Sequence, residues 1–256
     1  GYYSSSYTLN GSIDDVRIYN YARTQAQIAW DYNRGAPVGH WKLDECQGTT
    51  AYDSSGNTNN GTITIGATGT NTTAGTCSSG TGSEAWNNGT TGKRNASLSF
   101  DGTDDYVTLT SEPNYSQGGT ISTWIKTTDT TARIIALDST LLGIGNSTAM
   151  YLCADGSGCS VSVGTDNVPD DGNWHHVLMT WDNTNLSYYL DGKFVTSVAD
   201  SGAVSSGRGS YLGVGDSGAT LQDYFNGQID DVKIYNYALT AQQVKVDYTM
   251  GALLFN

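Results

Sequence analysis

The chain has 256 residues and a formal net charge of −13, with 25 acids against 12 Lys and Arg. Nucleic acid and anionic membrane surfaces are poor partners for it, because both are held by clustered Lys and Arg. Charged residues are only 14% of the chain. Gly, Ser, Thr, Asn and Tyr fill the gap, which argues for strands and tight turns over long helices and, with 37% apolar residues, against disorder.

In chain order the first feature is a repeat. Residues 10–36 (NGSIDDVRIYNYARTQAQIAWDYNRGA) return as residues 226–252 (NGQIDDVKIYNYALTAQQVKVDYTMGA), an offset of 216 with 17 identities in 27 positions. A period that long belongs to an array of whole domains rather than a solenoid. Residues 1–37 therefore read as the closing strand and short helix of a preceding module, and residues 38–256 as one complete module. Each copy is a β-branched and aromatic strand followed by a Thr-x-x-Gln capping box, Thr24–Gln27 and Thr240–Gln243. Gly35-Ala-Pro37 leaves almost no linker between the two, so neighbouring modules should sit stiffly end to end, as adjacent repeats of one protein.

Candidate strands follow at 39–43, 61–65, 96–101, 105–109, 119–126, 132–137, 148–153, 159–164, 174–182, 186–191, 193–198, 209–214 and 226–235, separated by Gly, Asn and Asp clusters. Asp191-Gly192 supplies the positive φ angles of a hairpin turn. Residues 66–95 are polar and poorly patterned, and read as a long surface insertion. Of the four cysteines, Cys153 and Cys159 bracket a Gly-rich turn, so the pairing expected is Cys46–Cys77 with Cys153–Cys159. Two disulfides point to an oxidising compartment, secreted or at the cell surface. No apolar run is long enough to span a bilayer as a helix, so direct membrane insertion is not expected.

The order of signatures is Trp41-Lys-Leu-Asp-Glu45, Asp53-Ser-Ser-Gly-Asn57, Leu98-Ser-Phe-Asp-Gly102, Thr120-Ile-Ser-Thr-Trp-Ile125, Trp174-His-His-Val177, Asp191-Gly-Lys193, Leu212-Gly-Val-Gly215 and Gly227-Gln-Ile-Asp-Asp-Val-Lys-Ile-Tyr235. Together they resemble the bacterial laminin-G-like subgroup of the concanavalin-A-like lectin/glucanase superfamily, over nearly all of 38–256. The resemblance implies an all-β fold: a two-sheet antiparallel jelly-roll sandwich with short C-terminal helical turns, its tail strand beside the first strand. It also implies a structural calcium ion held by Asp53, Asn57 and Asp230; Asp53 could equally make an Asx-turn, and Asp230 could bond loop amides.

Catalysis is not expected. The glucanases of the superfamily place paired acids along one strand, whereas Glu45, Glu84 and Glu112 form no such pattern. His175-His176 reads as one packed and one solvated ring. Trp86, alone in the polar insertion, is either a platform for a sugar ring or the residue that packs the insertion onto the sandwich; Tyr151, Tyr211 and Tyr224 near strand ends are further ligand candidates. Two functions are open to such a chain: a non-catalytic structural or adhesive spacer of a large cell-surface protein, or a carbohydrate-binding lectin-type domain whose partners are glycans.

Overall fold

The computed structural model describes residues 9–24, 27–28, 31–32, 35–110, 118–138, 140–153, 160–182, 184–199, 208–218 and 220–249. Two antiparallel sheets pack face to face as a jelly-roll sandwich. The first runs in the spatial order β1 (Gly39–Trp41), β17 (Asn226–Tyr235), β6 (Gly119–Thr127), β11 (Trp174–Trp181), β12 (Asn185–Leu190) and β13 (Lys193–Ala199), with β4 (Leu98–Asp101) on the other end of β17. The second runs β10 (Ser160–Ser162), β9 (Ala149–Cys153), β8 (Thr140–Asn146), β7 (Ala132–Leu137), β14 (Ser210–Leu212), β5 (Tyr106–Leu109), β3 (Gly61–Thr64) and β2 (Thr50–Ala51). A small ribbon, β15 (Gly215–Asp216) with β16 (Leu221–Gln222), two α-helices, α1 (Ala85–Asn88) and α2 (Ala241–Thr249), and a short 3-10 turn at Thr165–Asn167 complete the described elements.

Two-residue alternation decides which side chains face inward. Along β6, Ile121 and Ile125 enter the core; along β11, Val177 and Met179; along β17, Ile229, Val232 and Ile234. As the resemblance implied, β17 lies beside β1, pairing Trp41 with Val232. It also pairs with β4 and, on its other side, with β6, so one strand closes the whole sheet. A bulge shifts its register between Asp230 and Lys233, where Asp231 is left-handed at φ 49°.

Part of the outward face of the first sheet is covered. The helix α2 lies on it over a second apolar cluster of Leu178, Tyr189, Tyr235, Tyr237, Leu239 and Val244. Its start is the expected capping box, with the Thr240 amide donating to Gln243 Oε1 at 2.8 Å and the Gln243 amide to Thr240 Oγ1 at 3.4 Å.

One sequence expectation changes and another is refined. Strand β8 was not anticipated, because Gly143 and Gly145 interrupt its apolar pattern. Both glycines are there for space: a Cβ on Gly143 would sit 2.5 Å from Ala132 O, and one on Gly145 3.3 Å from the Tyr151 ring. The 66–95 segment runs mostly at the surface, as expected, but it is anchored and not loose. It folds back through α1 and buries Trp86 completely in the sandwich core, with the indole Nε1 donating to Gly48 O at 2.9 Å. Its length is tied down by three acids: Asp104 accepts from the Thr68 amide, Asp101 from the Asn71 amide, and Asp105 from Asn71 Nδ2 and the Gly66 amide.

Candidate functional site

The 45–52 turn is built on a rigid floor. Cys46 and Cys77 are bonded as expected, and the Cys77 amide donates to Cys46 O at 3.1 Å. Gln47 bridges Thr76, and Trp86 holds the turn from below through Gly48 O. Gly48 takes a left-handed φ of 74°, and Cys46 one of 57°, so the chain doubles back tightly before β2. Cys153 is also disulfide-bonded; its expected partner, Cys159, lies outside the described residues.

Above this floor opens a cleft of about 510 Å³ lined by Glu45, Gln47, Gly48, Thr49, Thr50 and Tyr52. Tyr52 is 59% exposed, a large aromatic ring standing free among hydroxyls and amides. Glu45 Oε1 accepts from the Tyr52 amide at 2.9 Å, which fixes the carboxyl against the ring's own backbone. Its other oxygen, Oε2, is out of solvent and has no hydrogen-bond partner. Burial pushes the Glu45 carboxyl above the usual carboxylate range. A buried acceptor without a donor is costly, and a ligand hydroxyl entering the cleft would relieve it.

The ligand residues expected from sequence are distributed differently. Trp86 is fully buried and packs the insertion onto the sandwich, so it offers no ring face to a sugar; the apolar core claims a large indole wherever its N–H finds a partner. Tyr151, Tyr211 and Tyr224 are half-buried. Tyr211 meets Tyr106 edge-on at 5.9 Å across β14 and β5, and the Tyr224 hydroxyl, raised chiefly by burial, also feels Tyr106 and Asp104. Tyr151 lies farther along the sheet, its ring covered at 3.7 Å by the Arg133 guanidinium, which Asp223 holds at 2.9 Å. Tyr106 joins this group and Tyr52 the cleft; neither stands out in a sequence holding 17 tyrosines.

Asp53, Asn57 and Asp230 each have hydrogen-bond partners of their own. Asp53 Oδ1 accepts from the His40 and Ser55 amides, and Oδ2 from Ser55 Oγ and the Asn59 amide, so the loop itself occupies both oxygens. Asn57 is exposed and donates to Val38 O. Asp230 is wholly buried elsewhere, accepting from the Arg94 amide at 2.7 Å, and burial pushes its carboxyl up to about 7. Asp230 Oδ1 is buried without a hydrogen-bond partner, whereas both oxygens of Asp53 are taken by the residues around it.

Of the two histidines one ring is packed, His176, and the other, His175, is partly exposed, in line with the expected pair of one packed and one solvated ring. His175 shares the inward parity of β11 but, at the strand's start, turns to Asp191 and Asp171 at 2.9 and 3.0 Å. His176 is on the outward face and is nonetheless buried, because α2 covers it. Its Nε2 meets both Ser122 Oγ at 2.9 Å and Asp247 Oδ2 at 3.2 Å. Serine and carboxylate on the same nitrogen cannot relay a proton through the ring as a catalytic triad does. Asp247 further accepts from Lys233 Nζ at 3.1 Å and Tyr235 Oη at 3.0 Å, and Lys233 also reaches Asp231, which binds His40 Nε2 at 2.7 Å. The set is a buried polar latch between α2 and the sheet.

A laminin-G sequence profile of the concanavalin A-like lectin/glucanases superfamily matches residues 101–245. No curated protein matches the chain significantly. Among solved structures, the chain resembles domain 4 of AbnA, a GH43 extracellular arabinanase from Geobacillus stearothermophilus solved in complex with arabinotriose. That match has 22% identity and a TM-score of 0.57, covering 83% of this chain and 98% of that domain. It also resembles the binding domain of botulinum neurotoxin serotype D, at 14% identity and a TM-score of 0.56 over 86% of this chain and 53% of that one. The binding domain of Paraclostridial Mosquitocidal Protein 1 is similar at 12% identity and a TM-score of 0.58, over 85% and 53%. The chain thus spans about half the length of these toxin domains. No described helix is long and apolar enough to cross a membrane.

Proposed function

The chain belongs to the concanavalin A-like lectin/glucanase superfamily, and on that footing we propose that it is a non-catalytic carbohydrate-binding module of a secreted or cell-surface protein, with its site in the Glu45–Tyr52 cleft. One observation carries this reading: Glu45 Oε2 is a buried acceptor without a donor, beside an exposed Tyr52 ring, in a cleft of about 510 Å³. A sugar ring stacks its C–H face on such an aromatic and turns hydroxyls toward the carboxyl, Gln47 and Thr49. The arabinotriose complex of the AbnA domain supports the ligand class. Catalysis has no support in the site, because no second carboxyl lines the cleft with Glu45.

Isothermal titration with arabinotriose and a panel of neutral and sialylated oligosaccharides tests this. Wild type should bind at least one of them, with Tyr52→Ala and Glu45→Gln each weakening binding about tenfold or more, the equivalent of about 1.4 kcal/mol. Absence of binding at millimolar sugar would overturn it. A second reading, that the module also acts as a spacer in a tandem array, is favoured by residues 9–35, which duplicate its closing element.

A further inference from the structure

The described residues between 9 and 35 keep the local features of a closing element although no second sandwich is present. Their counterparts in β17, Ile229, Val232 and Ile234, are 0% exposed in the core, whereas Ile13, Val16 and Ile18 are 68%, 71% and 94% exposed. Three apolar side chains in solvent on one extended segment are costly by themselves. The segment nevertheless keeps the other features of the closing element. Asp15 is left-handed at φ 49°, the same value as Asp231 in the β17 bulge. In β17 that bulge accommodates a register shift against β6; the tail keeps it with no strand paired to it among the described residues.

The polar latch is duplicated as well. Arg17 reaches Asp15 at 2.9 Å and Asp31 at 3.2 Å, and Tyr19 Oη donates to Asp31 at 3.1 Å. The corresponding distances are Lys233–Asp231 2.9 Å, Lys233–Asp247 3.1 Å and Tyr235–Asp247 3.0 Å. The Thr24–Gln27 capping box repeats that of Thr240–Gln243, and the Ile28 amide donates to Thr24 O as Val244 does to Thr240 O. Ile28 is 56% exposed where Val244 is 0%, so the face that α2 sets on its sheet is also uncovered.

We propose that residues 9–35 are a preassembled closing element, which inserts the Ile13–Tyr19 strand into the open sheet of a neighbouring laminin-G-like sandwich that lacks a closing strand of its own. The acceptor cannot be the sandwich of the same copy, or of a second intact copy, because β17 already occupies the slot between β1 and β6. What the partner must supply is read from this module: two strands flanking an empty slot, apolar holes for Ile13, Val16 and Ile18, an imidazole for Asp15 as His40 serves Asp231, and hydroxyl and imidazole donors for Asp31 as Ser122 and His176 serve Asp247. Latching strand to helix before docking removes conformational freedom in advance, so less entropy is lost on insertion. Tyr237 Oη donates to Gly35 O at 3.0 Å, anchoring the end of the element to this module a few residues before β1 starts at Gly39. Two sandwiches joined this way would meet at a short, stiff joint.

The test is a longer chain in which residues 38–225 precede residues 10–256. It places the tail directly after a sandwich deprived of β17, followed by the intact module. The module's own slot is a fair acceptor, since the tail differs from β17 only at Ser12 for Gln228 and Arg17 for Lys233 over Asn10–Tyr19. Two protease-resistant modules are expected, with an unfolding enthalpy about twice that of the original chain, because enthalpy scales with folded residues. Val16→Asp in the longer chain should return the enthalpy to the single-module value and leave only the first module open to protease. A first module that stays protease-sensitive without that substitution, or that stays folded with it, overturns the proposal. The Glu45–Tyr52 cleft is present in the original chain and is titrated there, so either result leaves the carbohydrate reading to stand or fall on that titration.

Discussion

Replacing Asp247 with Ala removes the centre of the latch that holds α2 to the sheet. Asp247 takes hydrogen bonds from His176, Lys233, Tyr235 and Ser122, and it is one of two carboxylates facing the buried Lys233 ammonium. Asp231 still faces the Lys233 ammonium at 2.9 Å, but Ser122, His176 and Tyr235 lose their shared acceptor, and breaking a buried network of this kind costs about 3–5 kcal/mol. At about 2–4 °C per kcal/mol for a domain of this size, the Tm should fall by roughly 6–20 °C. Scanning calorimetry reads the fall, and tryptophan emission should report the looser helix, since Tyr248 on α2 stacks 5.4 Å from Trp124. Replacing both charges with apolar side chains, Lys233→Met with Asp247→Leu, should recover part of the loss, because the one carboxylate left there, Asp231, keeps His40 as its partner. The sign with pH is fixed too. Burial raises the Asp247 carboxyl, but the His176 hydrogen bond and the Lys233 charge outweigh it and hold the group well below the usual carboxylate range. The stabilisation is therefore present above the unfolded value of about 3.9 and is lost as pH falls through the folded one. A loss below about 1 kcal/mol for Asp247→Ala, or a double variant no more stable than the single, would refute this account of the latch.

Asp230 behaves oppositely: its folded value of about 7 lies above the unfolded one of about 3.9, so the native state holds the extra proton and stability declines as pH rises from 4 to 7. Three pH units correspond to about 4 kcal/mol as an upper bound, and Asp230→Asn should flatten this part of a chemical-denaturation series; an unchanged slope would show that another group is responsible. The Cys46–Cys77 bond closes a separation of 31 residues, which corresponds to about 4 kcal/mol of unfolded-state entropy. Replacing both cysteines with Ala should lower the urea midpoint and weaken sugar binding, since the bond floors the cleft; sugar affinity unchanged in the folded variant would separate the two roles.

The sequence by itself determined what depends on residues near one another along the chain. The alternation of 226–235 predicts β17 to the residue, the Thr-x-x-Gln spacing predicts both capping boxes, and the repeat of 10–36 predicts a second closing element. The Cys46–Cys77 pair was also legible, because Cys153 and Cys159 bracket a Gly-rich turn and so leave Cys46 to Cys77. Tertiary structure decided everything that joins distant positions. For Trp86 the sequence left two readings open, a sugar platform or a packing residue, and the contact of its indole with Gly48 in the core decides for the second. His176 has the parity of a solvated residue, but Asp247 arrives on a helix 71 positions later and buries it. Glu45 and Tyr52 are unremarkable until the disulfide and Trp86 bend their turn into a cleft. Local pattern sets which face of a strand is apolar, whereas a side chain's exposure depends on what the rest of the chain lays over it, and that is settled only when the sheets and α2 pack.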